Sequence, residues 1–380
     1  MIIFYYNYGE RRLLGLPKAG AGIELRRSNT QERISIVPEQ RRRNKGKVNE
    51  TINEGESFLA RNEFLPQIET EEQERYERVF ARLDLIARKM PEEMTFYVVA
   101  AIVQERKEEI IIAATNHYVF GTTTNDVIYK HAEQALFEAM ALFNIQREAK
   151  TELYVTLEPC SKRESGGMPS CTNIIKNAQL QISKIIVSKI DWRNWRISGN
   201  GLQELAGERF NLVLLENTND SRTKIEEINQ QLPMEKRIKI GLKSYMDEAE
   251  QLTLSALQQI NSQIGLSLGV MNDVLNDIEL ISDSEVFLRR FEEIKENFKD
   301  ILKSWGFIRH VRGSAIDDTF NAEAIYIKEQ EKTWEEAQQS LQTKLKNIAK
   351  AAIGASIRRQ RAKKVASKIQ NGQYRPIIVF

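Results

Sequence analysis

One histidine, one glutamate and two cysteines occur in a pattern that suits metal-assisted hydrolysis. His131 and Glu133 lie in the run Lys-His-Ala-Glu, Cys160 ends the run Leu-Glu-Pro-Cys, and Cys171 follows after ten intervening residues. Imidazole nitrogen and thiolate sulfur are preferred zinc ligands, and three protein ligands leave a fourth position for a water whose pKa the metal lowers. Glu133 is the candidate carboxylate for moving the proton that such a reaction releases. The pattern therefore predicts a catalytic zinc site.

Other readings of the two cysteines remain open at this level. Cys160 and Cys171 are the only cysteines of the chain, and a pair could form a disulfide. Because we find no secretion signal in the sequence, a metal-binding or catalytic role is favoured over a disulfide. A structural zinc site would usually have four protein ligands, whereas this motif offers three. The remaining alternative is two buried cysteines near an unrelated histidine.

Alternating helical and strand patterns surround these residues. Apolar residues at spacings of three and four predict a helix from Glu71 to Met90, which Pro91 ends. Later segments predict strands at 96–103, 110–114, 153–156, 185–188 and 210–215, and helices at 131–143, 171–178 and 201–206. In this arrangement His131 and Cys171 each begin a helix. At the helix start the dipole favours the thiolate form of Cys171. We expect an α/β fold with a mixed sheet.

The rest of the chain has a different character. Residues 1–68 contain a short apolar start, interpreted as a strand, and a polar basic stretch, and we interpret them as an N-terminal extension and linker. Residues 69–218 form the predicted catalytic domain, and residues 219–380 form a helical region with long apolar faces. Nothing near eighteen consecutive apolar residues occurs, so no membrane partner is expected and the cytoplasm is the predicted location.

The motifs resemble the zinc signature of the cytidine deaminase superfamily over about residues 71–217. The runs that carry the resemblance are His-Ala-Glu, Thr-Leu-Glu-Pro-Cys and the downstream Cys171. Cytidine, deoxycytidylate and tRNA adenosine deaminases place two residues between their cysteines, whereas ten stand here; the deaminase domain of the riboflavin-biosynthesis bifunctional deaminase/reductase family has a spacing nearer to this one. The resemblance implies zinc as cofactor, His131, Cys160 and Cys171 as its ligands, and Glu133 as the catalytic proton shuttle. It also implies an α/β/α sandwich with a mixed five-stranded sheet.

Several other residues are candidates for contacting a substrate. His117 follows Asn116 where the riboflavin-type family has Tyr-His, and Asp191 and Asn200 are similar to parts of a later family segment. Lys162 and Arg163, between the two cysteines, could reach a phosphate, or they could belong to a solvated loop. Trp192 and Trp195 could stack on a base or pack in a core. The Pro-Asn-Pro of that family is absent before the first strand, where Glu93-Met94-Thr95 stands, so its substrate specificity is not expected here.

The expected function is hydrolytic deamination of an amino-substituted nucleobase in a free nucleotide or related small molecule. Nucleotide metabolism and phage defence are both compatible biological settings. A polynucleotide deaminase acting on tRNA or single-stranded DNA is an alternative, because both ends of the chain are basic, although the formal net charge is only +2. A deaminase-fold sensor or scaffold is another. We expect a homo-oligomer formed through the deaminase domain and the C-terminal helices.

Overall fold

A computed structural model describes most of the chain from residue 64 onwards, together with one short N-terminal strand. The described residues are 3–5, 64–105, 107–121, 127–145, 150–162, 168–194, 197–245, 247–304, 313–329, 333–374 and 376–379. The predictions for Arg163 and Trp195, and for the basic stretch of the N-terminal linker, lie outside the described residues.

An eight-stranded mixed sheet forms the centre of the protein. The strands are β1 Ile3–Tyr5, β2 Val99–Gln104, β3 Ile110–Thr115, β4 His117–Phe120, β5 Val127–Lys130, β6 Thr151–Val155, β7 Ile182–Val187, β8 Asn211–Leu214, β9 Lys239–Ile240 and β10 Ile377–Val379. Their order in the sheet is β1-β10-β3-β2-β6-β7-β8-β9, while β4 and β5 pair only with each other. The pairs from β6 to β9 are parallel and the others are antiparallel.

The mixed sheet confirms the predicted class, but the predicted number of five strands was wrong. Three more strands, of two or three residues each, extend the main sheet. β1 confirms the strand expected in the apolar start of the chain, whereas β9 and β10 were not predicted. Such short segments show no alternation of apolar and polar residues, and β9 and β10 come from the region where only helices were predicted. They lie at the two edges of the sheet, outside the strands that carry the predicted site.

Helices cover both faces of the sheet and continue as a C-terminal helical region. They are α1 Thr70–Ala87, α2 Ala132–Leu142, α3 Cys171–Lys176, α4 Asn200–Ala206, α5 Asn219–Asn229, α6 Glu248–Glu279, α7 Ser284–Ser304, α8 Gly313–Lys328 and α9 Trp334–Gln370. One core joins α2, α3, α4 and α5 to the first face of the sheet, and a second joins α1, α6 and α9 to the other face. The predicted sandwich and helical C-terminal region are therefore confirmed.

Helix α2 shows how local sequence places the site. Its residues Ala132, Ala135, Leu136, Ala139 and Met140 are buried, and their spacing of three and four residues forms one apolar stripe. This stripe packs in the first core, against the sheet. Since the first residues of the helix are fixed in this way, the residue immediately before it is held at the carboxyl end of the neighbouring strands.

The C-terminal helices have a core of their own and also contact the segment just before β2. Their core is built around Phe287, Phe298 and Phe320. On α9, the Arg361 guanidinium donates hydrogen bonds to the main-chain carbonyls of Glu92, Glu93 and Met94, just before β2. None of the described helices is long and apolar enough to cross a membrane.

Candidate metal centre

His131 and Glu133 lie at the beginning of α2. His131 is the N-cap residue, with extended backbone angles, and Glu133 is in the first turn. The Glu133 side chain is almost completely buried, with 3% of its surface exposed. Its carboxyl group lies beside the thiol of Cys171. The helix start therefore directs both the imidazole and the carboxyl group to one place, as the sequence predicted.

The two cysteines approach from a loop and from a second helix start. Cys160 follows the end of β6, and Cys171 is the first residue of α3, whose N-cap Ser170 accepts a hydrogen bond from the Asn173 N–H at 3.3 Å. The Cys171 N–H points at the Cys160 sulfur at 3.4 Å. The start of α3 thus supplies one potential ligand and also stabilises negative charge on the other.

The three potential ligand atoms form a compact group. His131 Nδ1 lies 3.8 Å from the Cys160 Sγ and 3.3 Å from the Cys171 Sγ, and all three atoms lie within 4.8 Å of one another. Nitrogen and sulfur ligands of one tetrahedral zinc ion stand about 3.5 Å apart, given zinc–ligand bonds of about 2.0 and 2.3 Å. The observed spacing and the donor types fit zinc. The group found among the described residues contains these three donors, which is the number typical of a catalytic site.

The electrostatics of the group also suit a cation. The hydrogen bond between the two sulfurs lowers the pKa of Cys160 to about 4 and raises the pKa of Cys171. Burial raises the pKa of Glu133 above its ordinary value, because the charged form loses hydration. A carboxyl group with a raised pKa is suited to both accepting and donating a proton.

Glu158 fastens the ligand loop to the rest of the fold. Its carboxylate accepts main-chain N–H groups of Asp191 at 3.2 Å, Gly199 at 2.9 Å and Gly201 at 2.8 Å. Burial raises its pKa to about 7. Glu158 is two residues before Cys160, so these bonds fix the position of that ligand.

The Tyr129 ring packs against the His131 ring. Its ring centre lies 4.9 Å from that of His131, and its hydroxyl oxygen accepts a hydrogen bond from the Asn116 side chain at 2.8 Å. Asn116 also bonds the main chain of Phe96 and Val98. The sequence reasoning missed Tyr129; its position two residues before His131, at the end of a strand, was the available signal.

The predicted substrate residues lie in different surroundings. His117 is buried at the start of β4, where its Nδ1 lies 3.2 Å from the Thr115 carbonyl oxygen and burial lowers its pKa to about 4. Lys162 is exposed, and Asn200 is half-buried at the first position of α4. The Asp191 carboxylate accepts hydrogen bonds from the side chain of Arg193. Their contact with a substrate stays a prediction.

Arg193 is a further residue that the sequence reasoning did not single out. Its guanidinium carbon lies 4.1 Å from the centre of the Phe96 ring, a cation–π contact. It is also near enough to Tyr129 and Cys160 to interact electrostatically with both. The positively charged Arg193 side chain therefore lies close to the potential metal ligands, and Asp191 and Phe96 hold it in place.

Comparison with known proteins supports the chemistry of this group. Residues 73–189 match the family described as the cytidine and deoxycytidylate deaminase zinc-binding region. The matched residues include Cys160, Cys171, His131 and Glu133. A comparison with curated proteins found no match.

Solved deaminase structures are similar to part of the chain. Acinetobacter baumannii RibD, form 1, is 20% identical with a TM-score of 0.28; the match covers 42% of this chain and 38% of that one. The Aspergillus oryzae Rib2 deaminase, a C-terminal deletion mutant, is 20% identical with a TM-score of 0.28 and coverages of 48% and 97%. The dCMP deaminase from the cyanophage S-TIM5 is 18% identical with a TM-score of 0.22 and coverages of 46% and 98%.

Proposed function

We propose that this chain is a zinc-dependent hydrolytic deaminase of an amino-substituted nucleobase. Residues 73–189 match the zinc-binding region of the cytidine and deoxycytidylate deaminase family. The substrate is a free nucleotide or a related small molecule. The observation that carries the proposal is the convergence of His131, Cys160 and Cys171 within 4.8 Å, beside the buried carboxyl group of Glu133. A three-ligand site next to a buried carboxyl group is the arrangement that hydrolysis requires.

The residues of the chain divide the work of the reaction. His131, Cys160 and Cys171 would hold the zinc ion, which when bound supplies Lewis-acid activation of water. Glu133 takes one proton from the attacking water and passes it to the ring nitrogen beside the reacting carbon. The proton of the resulting hydroxyl group then goes to the amino group as the carbon–nitrogen bond breaks. The amine leaves as ammonia and a carbonyl group takes its place. Burial raises the pKa of Glu133, which favours proton transfer in both directions.

The spacing of the cysteines supports a further proposal about lineage. Ten residues stand between Cys160 and Cys171, which favours a riboflavin-type deaminase with altered specificity. We propose a role in nucleotide metabolism or phage defence in the cytoplasm. We also propose a homo-oligomer formed through the deaminase domain and the C-terminal helices. Light scattering coupled to gel filtration measures that assembly, and a monomer would contradict it.

A polynucleotide substrate is the second candidate. The observation that favours it is the exposed basic surface of α9, which includes Arg358, Lys363 and Lys364. Binding to several phosphates weakens steeply with salt, whereas binding to one nucleotide weakens much less. Titration of a single-stranded oligonucleotide at low and physiological salt therefore separates the two substrates.

The experiment that tests the proposed function replaces Glu133 with glutamine. We expect Glu133→Gln to keep its zinc and to lose ammonia release by at least about 100-fold, because the amide cannot carry the proton. The control is Glu74→Gln, since Glu74 is an exposed residue of α1. Ammonia is measured across nucleosides, nucleotides and the riboflavin intermediate, with metal content determined on the same samples. Turnover by Glu133→Gln at the wild-type rate would refute the mechanism.

A further inference from the structure

A small cavity opens between the metal-ligand part of the fold and helix α6. Its volume is about 150 Å³. One wall comes from the start of β2 and the ends of β6 and β7, and the other comes from the first three turns of α6. Its lining residues include Phe96, Leu157, Trp192, Arg193, Leu254 and Leu257.

A hydrogen bond connects the walls of the cavity to the loop that carries Cys160. Leu157 in its wall is three residues before Cys160, and the segment from Lys189 to Arg193 lines it as well. The Glu158 carboxylate bonds the Asp191 N–H, so the ligand loop and this segment are held together. Arg193, the last residue of this segment, stacks on Phe96 and lies close enough to Cys160 to interact with it electrostatically. The cavity walls are therefore bonded to the loop that carries Cys160.

Helix α6 is fixed firmly enough to act as a wall. The Thr253 hydroxyl accepts a hydrogen bond from the Tyr97 N–H at 3.0 Å and donates one to the Ala249 carbonyl at 2.8 Å. Lys189, at the end of β7, pairs with Glu250 at 2.9 Å. These bonds join α6 to β2 and to β7, on both sides of the cavity.

The walls are apolar and partly open to solvent. Trp192 is 40% exposed and Leu254 is 51% exposed. The indole N–H of Trp192 donates to the Glu216 carboxylate at 3.0 Å, which fixes the ring orientation. Exposed apolar side chains from two different elements that line one cavity are typical of a ligand site.

Charge and size limit what can bind there. The four ionised lining residues form two pairs, Asp191 with Arg193 and Lys189 with Glu250, so their formal charges cancel. An apolar cavity of about 150 Å³ is large enough for one six-membered ring. The match is therefore to an uncharged planar ring.

We propose that this cavity is a binding subsite for one uncharged planar ring, and that helix α6 supplies one of its walls. The assignment of that ring to the substrate rests on the proposed deaminase function. The C-terminal helical region is then part of the substrate site, in addition to packing on the sheet.

The test compares two leucines of the same helix. Leu254→Glu places a carboxylate at the cavity, whereas Leu266→Glu places one at a position three turns away that is 80% exposed. Binding of cytidine, with phenol as a second ring and ribose as the probe without a planar ring, is measured by calorimetry on the full chain. We expect both rings to bind the wild type, and Leu254→Glu to weaken binding at least tenfold. Leu266→Glu should stay within twofold of the wild type.

Three results would overturn the subsite: no ring binding to the wild type at millimolar concentration, equal binding by both leucine variants, or equal binding of ribose. Circular dichroism verifies folding, and Leu254→Ser replaces the glutamate variant if that variant does not fold. Ammonia release is measured separately. Unchanged ring binding in Leu254→Glu together with an inactive Glu133→Gln rejects the subsite and leaves the deaminase intact. Weakened ring binding without ammonia release from any substrate rejects the deaminase and leaves the subsite.

Discussion

Replacing Gly201 with alanine should disturb the metal centre through a single added methyl group. Gly201 is the second residue of α4, and its N–H donates to the Glu158 carboxylate at 2.8 Å. A Cβ at this position would lie 1.9 Å from the Pro159 carbonyl oxygen, which is far inside van der Waals contact. Because the obstructing atom is backbone, the Pro159–Cys160 segment must move.

Two opposing contributions set the size of the effect on stability. Alanine in a helix is more stable than glycine by about 0.5–1 kcal/mol, whereas overpacking costs about 1–3 kcal/mol. We therefore expect a net loss of about 1–2 kcal/mol in the free energy of unfolding. Displacing the support of a metal ligand lowers metal affinity by roughly 10–100-fold.

The matched control is Gly207→Ala at the end of the same helix. Gly207 has a φ of −65°, and an added Cβ would lie no closer than 3.7 Å to its neighbours. We expect this variant to be neutral or more stable by up to about 1 kcal/mol. Urea unfolding and zinc titration with a chromogenic chelator measure both effects. If Gly201→Ala matched Gly207→Ala in stability and zinc affinity, the proposed coupling between α4 and the ligand loop would be wrong.

Two further predictions concern buried charges. Asp247 is 1% exposed, and burial together with Asp84 raises its pKa, so the folded state holds a proton that the unfolded state releases above about pH 4. The free energy of unfolding should therefore fall as pH rises above that value, and the fall should be smaller in Asp247→Asn. Urea unfolding at several pH values measures it, and the same dependence on pH in both proteins would contradict this prediction. Arg75 pairs with the buried Glu152 at 2.7 Å, so Arg75→Met should cost about 3 kcal/mol. The exposed Arg78 pairs with Glu108, and Arg78→Met should destabilise the protein much less than Arg75→Met does; equal losses would refute the distinction.

The predictions that succeeded rest on local patterns. The apolar spacing of Tyr76, Val79, Phe80 and Leu83 predicted α1, which the structure places at Thr70–Ala87. The positions of His131 and Cys171 at helix starts were also predicted correctly, because a motif and a helix start are both encoded within a few neighbouring residues. Zinc as the cofactor follows from the same motif and fits the donor set.

The features that were not predicted depend on contacts between distant parts of the chain. Arg361 donates a hydrogen bond to the carbonyl group of Glu93, and Leu254 lines the same cavity as Trp192. Neither side chain has a neighbour in sequence that reveals its partner. The domain boundaries at 68/69 and 218/219 stay predictions; elements beyond 218 nevertheless complete the sheet and its second core.

The position of β10 between β1 and β3 has a consequence for synthesis on the ribosome. β3 ends at Thr115, yet its outer partner is formed by Ile378 and Val379, more than 260 residues later. At roughly 5–20 residues per second, the nascent chain carries this apolar strand edge unpaired for tens of seconds. Unpaired edges of this kind recruit other strands. Chaperone demand during translation should therefore depend on how quickly the last strand is delivered.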